Sequence, residues 1–303
     1  MSSDELCRQV ACLMQSNLVT VGPYRYTRPA PSTYEHQWLW DSCFHAVIYC
    51  HLDPAMARDE LLSLIVHQVA DGPDAGMIPH MVYWHGGGEG LWGQPESSTI
   101  TQPPLIAIAA LRVYRASADR GWMARLYPAL RAYHRWFDFR RDPDGDHLVS
   151  LIHPWESGWD ASPRWDAPMG LTDPTDKESQ GARVALVGQL ARYDYDAQRI
   201  AQAGLFCVES VDFNAIRAAD LESLADIAEL LGLSHDAHEW RTKAKSVKAA
   251  MRKMWDDTTG TFQDLSGVDE SFIEVDSAAP FVTLFGGVPT GEQAQRLVSD
   301  LLS

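Results

Sequence analysis

Apolar residues recur along this chain at intervals of three and four, the period of helices that bury one face. One stripe, opened by Asp53, runs through Leu61, Leu62, Leu64, Ile65 and Val69. Leu105, Ile108, Leu111 and Tyr114 repeat it after Pro103-Pro104, where proline suits a first helical turn. Met123, Leu126, Leu130, His134 and Phe137 form a third stripe, which Asp142-Pro143-Asp144-Gly145 stops. A fourth, Phe213, Ile216, Leu221, Leu224, Ile227 and Leu231, ends at Gly232, and Ser234 is expected to cap the next, Trp240, Ala244, Val247, Met251 and Trp255. Thr290 and Gln293 have capping-box spacing and predict a helix through Leu297, Val298, Leu301 and Leu302. Strand patterns are few and short, so the pattern predicts an all-α fold.

Between the stripes lie long connections rich in aromatic and acidic residues, the places where a helical barrel carries its functional groups. No linker, charge run or low-complexity stretch divides the chain, and no fixed-period repeat marks a solenoid. Residues 1–303 therefore read as one domain. The last helix has an apolar stripe and nothing after it to pack against, which suggests a domain incomplete at its C-terminus. A natural terminus docked on the body is the competing reading.

Composition narrows the class. The 303 residues are 46% hydrophobic and 22% charged, as in a globular protein with a large core, and a formal net charge of −16 disfavours nucleic acid and anionic membranes as partners. A neutral or small ligand fits better. Five cysteines (Cys7, Cys12, Cys43, Cys50, Cys207) show neither CxxC spacing nor an even count, so buried thiols are expected rather than disulfides or zinc. With no secretory leader pattern and no bilayer-length apolar run, the expected location is the cytoplasm.

Chemistry concentrates in two segments. Trp155-Glu156-Ser157-Gly158-Trp159-Asp160-Ala161-Ser162-Pro163-Arg164 sets a carboxylate among indoles, and Tyr34-Glu35-His36-Gln37-Trp38-Leu39-Trp40-Asp41 repeats the mixture. Acetal cleavage needs one carboxyl to protonate the leaving oxygen and a second group to activate water. Apolar rings beside an acid raise its pKa, and Asp160 between Trp159 and Trp165 fits that description. The structural alternative makes Trp155, Trp159 and Trp165 core residues and has Asp160 cap a turn or pair with Arg164. Nine of the eleven tryptophans fall between Trp38 and Trp165, and aromatic faces suit both sugar rings and large cores.

Tyr34-Glu35-His36-Gln37-Trp38-Leu39-Trp40-Asp41-Ser42, Thr101-Gln102-Pro103-Pro104 and His153-Pro154-Trp155-Glu156-Ser157-Gly158-Trp159-Asp160 resemble the mannosylglycerate and glucosylglycerate hydrolases of glycoside hydrolase family 63. The Glu-Ser-Gly-Trp-Asp core is also similar to that of the family 37 trehalases. The resemblance continues through Phe213-Asn214-Ala215-Ile216 and Leu284-Phe285-Gly286-Gly287-Val288-Pro289-Thr290. It implies an (α/α)6 barrel, inversion at an α-glycosidic bond, Asp160 as general acid, and a sugar subsite lined by Trp38, Trp40, Asp41 and Gln102, with Tyr34 and Gly158 at its edge. Taken alone, Asp41 is as readily an N-cap and Gln102 a packing residue. The family's catalytic base lies in a C-terminal aromatic segment with no counterpart here, so the base is expected beyond residue 303 and the chain is expected to be weakly active or inactive by itself. Glu35, Glu96 and Glu156 are the carboxylates nearest the motifs, Glu156 reading better as a support of the loop.

Two other readings stay open. A sugar isomerase or epimerase on a similar barrel would need paired pocket histidines, for which His36, His45 and His153 are available, and a noncatalytic sugar-binding remnant would need none. The acidic aglycone requires a basic or hydroxyl-rich recess, which no motif locates; Arg25, Arg28 and Arg183 are the basic residues available. His85-Gly86-Gly87-Gly88-Glu89-Gly90 lacks the pattern of a phosphate loop and is expected to lie over the pocket. With no HExxH, no DxDxDG-like loop and no dinucleotide fingerprint, neither a metal nor a cofactor is expected.

Overall fold

Capping chemistry fixes where several of the helices begin. The Asp53 carboxylate accepts the amides of Ala55 and Met56 at 2.9 and 3.4 Å ahead of Pro54, and Asp119 accepts that of Trp122 at 2.8 Å. Thr175 with Glu178 and Thr290 with Gln293 close reciprocal capping boxes. The computed structural model describes residues 2–302, and among them the helices are α1 (Ser3–Asn17), α2 (Leu39–Tyr49), α3 (Pro54–Ile65), α4 (Glu89–Trp92), α5 (Ile106–Ser117) and α6 (Arg120–Arg140). They continue as α7 (Asp176–Leu190), α8 (Ala197–Gln202), α9 (Val211–Leu230), α10 (Ser234–Met251), α11 (Ala279–Phe285) and α12 (Gly291–Leu301).

Four helix pairs form two layers. α2 packs on α5, α5 on α9 and α9 on α11, while α3, α6, α10 and α12 each pack behind the inner helix they follow. Within each pair the connection is short, but the return from an outer helix to the next inner one is long. All long returns therefore enter the N-terminal ends of inner helices. There an antiparallel sheet of Ser150–Leu151, Val208–Glu209, Asp264–Ser266 and Ser271–Ile273 ties the connections after α6, before α9 and after α10 together.

The core runs between the layers, with Trp122, Tyr133, Phe137, Phe213 and Trp240 at most 1% exposed. One polar staple crosses it. His134 Nε2 on α6 lies 2.9 Å from Asp220 Oδ2 on α9, and Asp220 Oδ1 accepts the Ile108 amide at 2.8 Å, so one carboxylate joins three helices.

Boundaries differ from the pattern in physically interpretable ways. Pro103 and Pro104 precede α5 rather than opening it, because Leu105 holds the cap position. Ser234 is the first helical residue of α10 and Leu233 its cap. Trp255 leaves the α10 stripe to pair in a short strand with Phe262, edge to face at 5.0 Å. In α12 Leu297 is buried, whereas Val298, Leu301 and Leu302 remain exposed. Among the described residues no helix is long and apolar enough to cross a membrane.

Candidate active site

The long returns converge on a cavity of about 220 Å³ lined by Pro29, Tyr34, Trp38, Trp40, Asp41, Gln102, Gly158 and Asp160. Every residue that the sequence singled out for the sugar subsite and the acid thus reaches one pocket, from three separate stretches of chain. The strand Gln37–Trp38, paired with Met81–Val82, sets the Trp38 ring edge-on to Tyr34 at 5.8 Å and to His80 at 5.2 Å. Its indole N–H is buried with no protein acceptor, which leaves a donor at the pocket wall.

Behind Trp38 the chain turns into α2, placing Trp40 and Asp41 in the first helical turn. Trp38 occupies the cap position of α2, so the N-cap alternative for Asp41 does not hold. Gln102 is 4% exposed, its Oε1 accepting the Trp40 amide at 3.4 Å and its carbonyl the Tyr133 hydroxyl at 3.0 Å. The side chain is thereby pinned at the junction of the entries to α2 and α5.

The acid-bearing loop is held from several sides. Glu156, buried within it, pairs with Arg141 at 2.9 Å and accepts the amides of Ile152 and Thr101 at 2.8 and 3.2 Å. It supports the loop, as expected from the sequence. Glu35 and Glu96 are exposed and outside the pocket lining, so Asp41 and Asp160 are its carboxylates among the described residues. Arg164 does not pair with Asp160. It reaches Asp212 at 3.0 Å and Asp264 at 2.9 Å, its guanidinium lying against the rings of Trp159 and Trp165, and so locks the loop onto the start of α9. Trp165 belongs to the core, while Trp159 is half-buried against that guanidinium.

Asp160 lines the cavity with a substantial part of its surface open to solvent, while its carboxyl sits deep enough among neighbouring atoms to lose hydration. Burial raises its pKa to about 6, the Arg183 charge opposing that rise and the Asp41 charge adding to it. Asp41 is itself raised, first by burial, with His45 acting the other way. The geometry offers a carboxyl able to hold a proton toward neutral pH beside a second carboxylate, an amide and two indoles.

None of His36, His45 and His153 lines the pocket. His153 is buried and pushed down to about 3; its Nδ1 accepts the Trp155 amide at 3.1 Å and its Nε2 meets the Arg183 carbonyl at 2.9 Å. The acid–base histidine pair needed for epimerisation is therefore not assembled there. The glycine-rich stretch does not cover the pocket either: Gly88 leads into α4, whose Trp92 donates to Tyr83 Oη at 3.0 Å in a small satellite core. The cysteines are all free, Cys7 and Cys12 exposed rather than buried, because both lie on the solvent side of α1.

Two clusters of acidic and histidine side chains lie away from the pocket, and neither was singled out from the sequence for binding chemistry. Asp142, Asp144 and Asp146 bring carboxylate oxygens within 4.8 Å of one another, as do the ligand atoms of His235, Asp236 and Glu239. Glu209, 5% exposed beside the first group, is pushed up to about 9 by burial and then by Asp146, Asp144, Glu270 and Asp142. Alternating aspartates at 142, 144 and 146 were the available signal.

Comparison with known proteins agrees with this architecture. The mannosylglycerate hydrolase of Thermus thermophilus is 33% identical over 91% of this chain and 73% of its own length, and the glucosylglycerate hydrolase of Mycolicibacterium hassiacum is 30% identical over 87% and 68%. The crystal structure of a GH63 mannosylglycerate hydrolase from Thermus thermophilus in complex with Tris and D-glycerate superposes with a TM-score of 0.84 at 32% identity, over 97% of this chain and 76% of that one. The helical layers thus have the (α/α)6-barrel-type fold. Residues 34–303 match the mannosylglycerate hydrolase MGH1-like glycoside hydrolase domain, and the chain belongs to that family of glycoside hydrolases.

Proposed function

We propose that this chain is an inverting glycoside hydrolase domain that cleaves the α-glycosidic bond of a small glycosylglycerate, mannosylglycerate or glucosylglycerate. Convergence of Tyr34, Trp38, Trp40, Asp41, Gln102, Gly158 and Asp160 on one cavity carries this reading. Asp160 is the general acid. Its raised pKa keeps a proton available for the departing glycerate oxygen. Asp41 and Gln102 bind sugar hydroxyls, Trp38 and Trp40 cover the apolar face of the ring, and Tyr34 closes the mouth.

The pocket holds the acid of an inverting pair and the residues that bind the sugar, while the base that takes the proton of the attacking water is not among its described lining residues. Asp41 is the carboxylate that shares the pocket with Asp160, and as a hydroxyl ligand it is not free to serve as base. A slow hydrolase is therefore expected from these 303 residues. Incubation with α-mannosylglycerate and α-glucosylglycerate, followed by proton NMR, tests the proposal. Release of glycerate with the β-anomer of the sugar formed first supports it. Formation of the epimeric sugar, or retention of the α-configuration, contradicts it.

A further inference from the structure

Six carboxylates are buried among the described residues, and four of them meet a basic side chain at hydrogen-bond distance. Glu156 has Arg141 at 2.9 Å, Asp212 and Asp264 share Arg164 at 3.0 and 2.9 Å, and Asp220 has His134 at 2.9 Å. Glu209 belongs to a separate cavity with Asp144 and Glu270. Glu60, on α3 and 0% exposed, is the exception beside the active site. Its Oε1 accepts the Ser42 hydroxyl at 2.6 Å, and its Oε2 is buried with no donor. Arg25, whose charge is felt at Tyr49, is engaged by Asp59 instead. What faces Glu60 is His45, whose Nδ1 lies 3.7 Å from Oε1 and is itself buried with no partner.

A dry carboxylate oxygen without a donor and an imidazole nitrogen without a partner each cost stability, and one proton held between them removes both costs. A slight rotation of the ring brings 3.7 Å into hydrogen-bond range. Gln37 fixes the surroundings: its Nε2 donates to Ser42 Oγ at 3.1 Å, leaving that hydroxyl's own proton for Glu60, and its Oε1 accepts the Trp84 indole N–H at 2.8 Å.

Position gives the pair its task. His45 follows Asp41 by four residues on α2, one turn along the same face. Asp160 must hold a proton, whereas Asp41 must lose its own to accept sugar hydroxyls, and burial disfavours charge on both. Arg183 favours the charged form of Asp160, so the order of the two carboxyls depends on a stronger preference at Asp41. The charged groups facing Asp41 are His45 on its own helix, Glu60 on α3 and Asp160 on the acid loop, and of these His45 alone favours its ionisation.

Resting on the function proposed above, we propose that His45, held by Glu60, is a positioning residue that keeps Asp41 ionised and so assigns the two pocket carboxyls their roles, Asp41 as hydroxyl acceptor and Asp160 as proton donor. The environments of two neighbouring acids are thereby driven apart from behind the pocket wall, with no contact between His45 and the sugar.

The test follows the Asp41 carboxyl itself, by carbon NMR of protein carrying labelled aspartate and assigned through Asp41→Asn, in wild type, His45→Gln and His45→Lys. The expected result is an Asp41 midpoint about one pH unit higher in His45→Gln and back near wild type in His45→Lys, whose ammonium restores the charge without the ring. Turnover of α-mannosylglycerate follows: His45→Gln loses about fivefold more kcat/KM at about pH 5 than at about pH 7, and His45→Lys recovers the difference. His45→Asn, a donor to Glu60 without charge, takes the place of His45→Gln should that variant not fold, and its Asp41 midpoint is expected to rise in the same way. A purely structural role would lower rates equally at both pH values and leave Lys no better than Gln. That pattern, or an Asp41 midpoint unmoved by loss of the imidazole, overturns the proposal. Should wild type hydrolyse no glycosylglycerate, the function proposed above fails while the Asp41 titration still decides the role of His45.

Discussion

The Trp40 ring lies directly against the Cα of Gly158, so closely that a Cβ built there would fall 2.5 Å from Trp40 Cη2 and 2.8 Å from Cε2. Gly158 also has φ +72°, a left-handed conformation that side chains resist. Two independent constraints thus select glycine where the Asp160 loop meets the pocket-lining indole. Gly158→Ala is expected to displace the Trp40 ring, cost about 2 kcal/mol of stability and lower kcat/KM at least tenfold. Denaturant unfolding and a rate assay measure both, and wild-type values in each would refute the packing role.

Glu156 is expected to act on stability before chemistry. Its replacement by Gln leaves Arg141 buried with no carboxylate, an effect on the order of 3 kcal/mol. Because Glu156 also accepts the Thr101 amide, the residue next to Gln102, sugar binding should weaken as well. A double variant, Arg141→Met with Glu156→Gln, should recover part of the stability. An unfolding free energy for the single variant within about 0.5 kcal/mol of wild type would contradict this.

Titration of Glu209 makes a separate prediction. In the fold its carboxyl is raised to about 9 from an ordinary 4.5, so its contribution to stability is whole below about pH 4.5 and is lost as pH rises through about 9. Glu209→Gln should therefore match wild type at pH 4 and exceed it at pH 7 by on the order of 3 kcal/mol. Unfolding curves at the two pH values give the comparison. A variant equally or less stable at pH 7 would show that the acidic neighbourhood does not strain the fold.

The same sign reasoning applies to Asp160. With its pKa raised to about 6, activity that depends on its proton falls as pH rises through about 6. Asp41 adds to that rise, so Asp41→Asn should move the midpoint of kcat/KM to lower pH in addition to weakening sugar binding. A pH–rate profile in which the midpoint stays fixed would separate the two carboxylates electrostatically.

How much of this was legible in the sequence depends on the range over which each signal acts. Helices α3, α5, α6, α9, α10 and α12 announced themselves by apolar period, and capping side chains fixed the starts of α3, α6 and α12. Helices α1, α2 and α7 did not, since α2 is a stretch of mixed aromatic and polar residues and α7 buries only Arg183, Leu186, Val187 and Leu190. The pocket residues stood out because aromatic, acidic and glycine positions are dense in two short segments. What holds them did not: Arg164 finds its partners 48 and 100 residues away. The glycine-rich stretch misled because its flexibility on paper is spent on packing Trp92 against Tyr83.

If Asp160 delivers the proton to the leaving oxygen, its loss must hurt most where the leaving group needs that proton. Rates of wild type and Asp160→Asn are compared on α-glucosylglycerate, whose alkoxide needs protonation, and on α-glucosyl fluoride, whose fluoride departs with far less help. The expected loss is about a thousandfold on the glycerate substrate and much smaller, roughly tenfold or less, on the fluoride. Equal losses on the two substrates, or undiminished turnover of the glycerate, would contradict it.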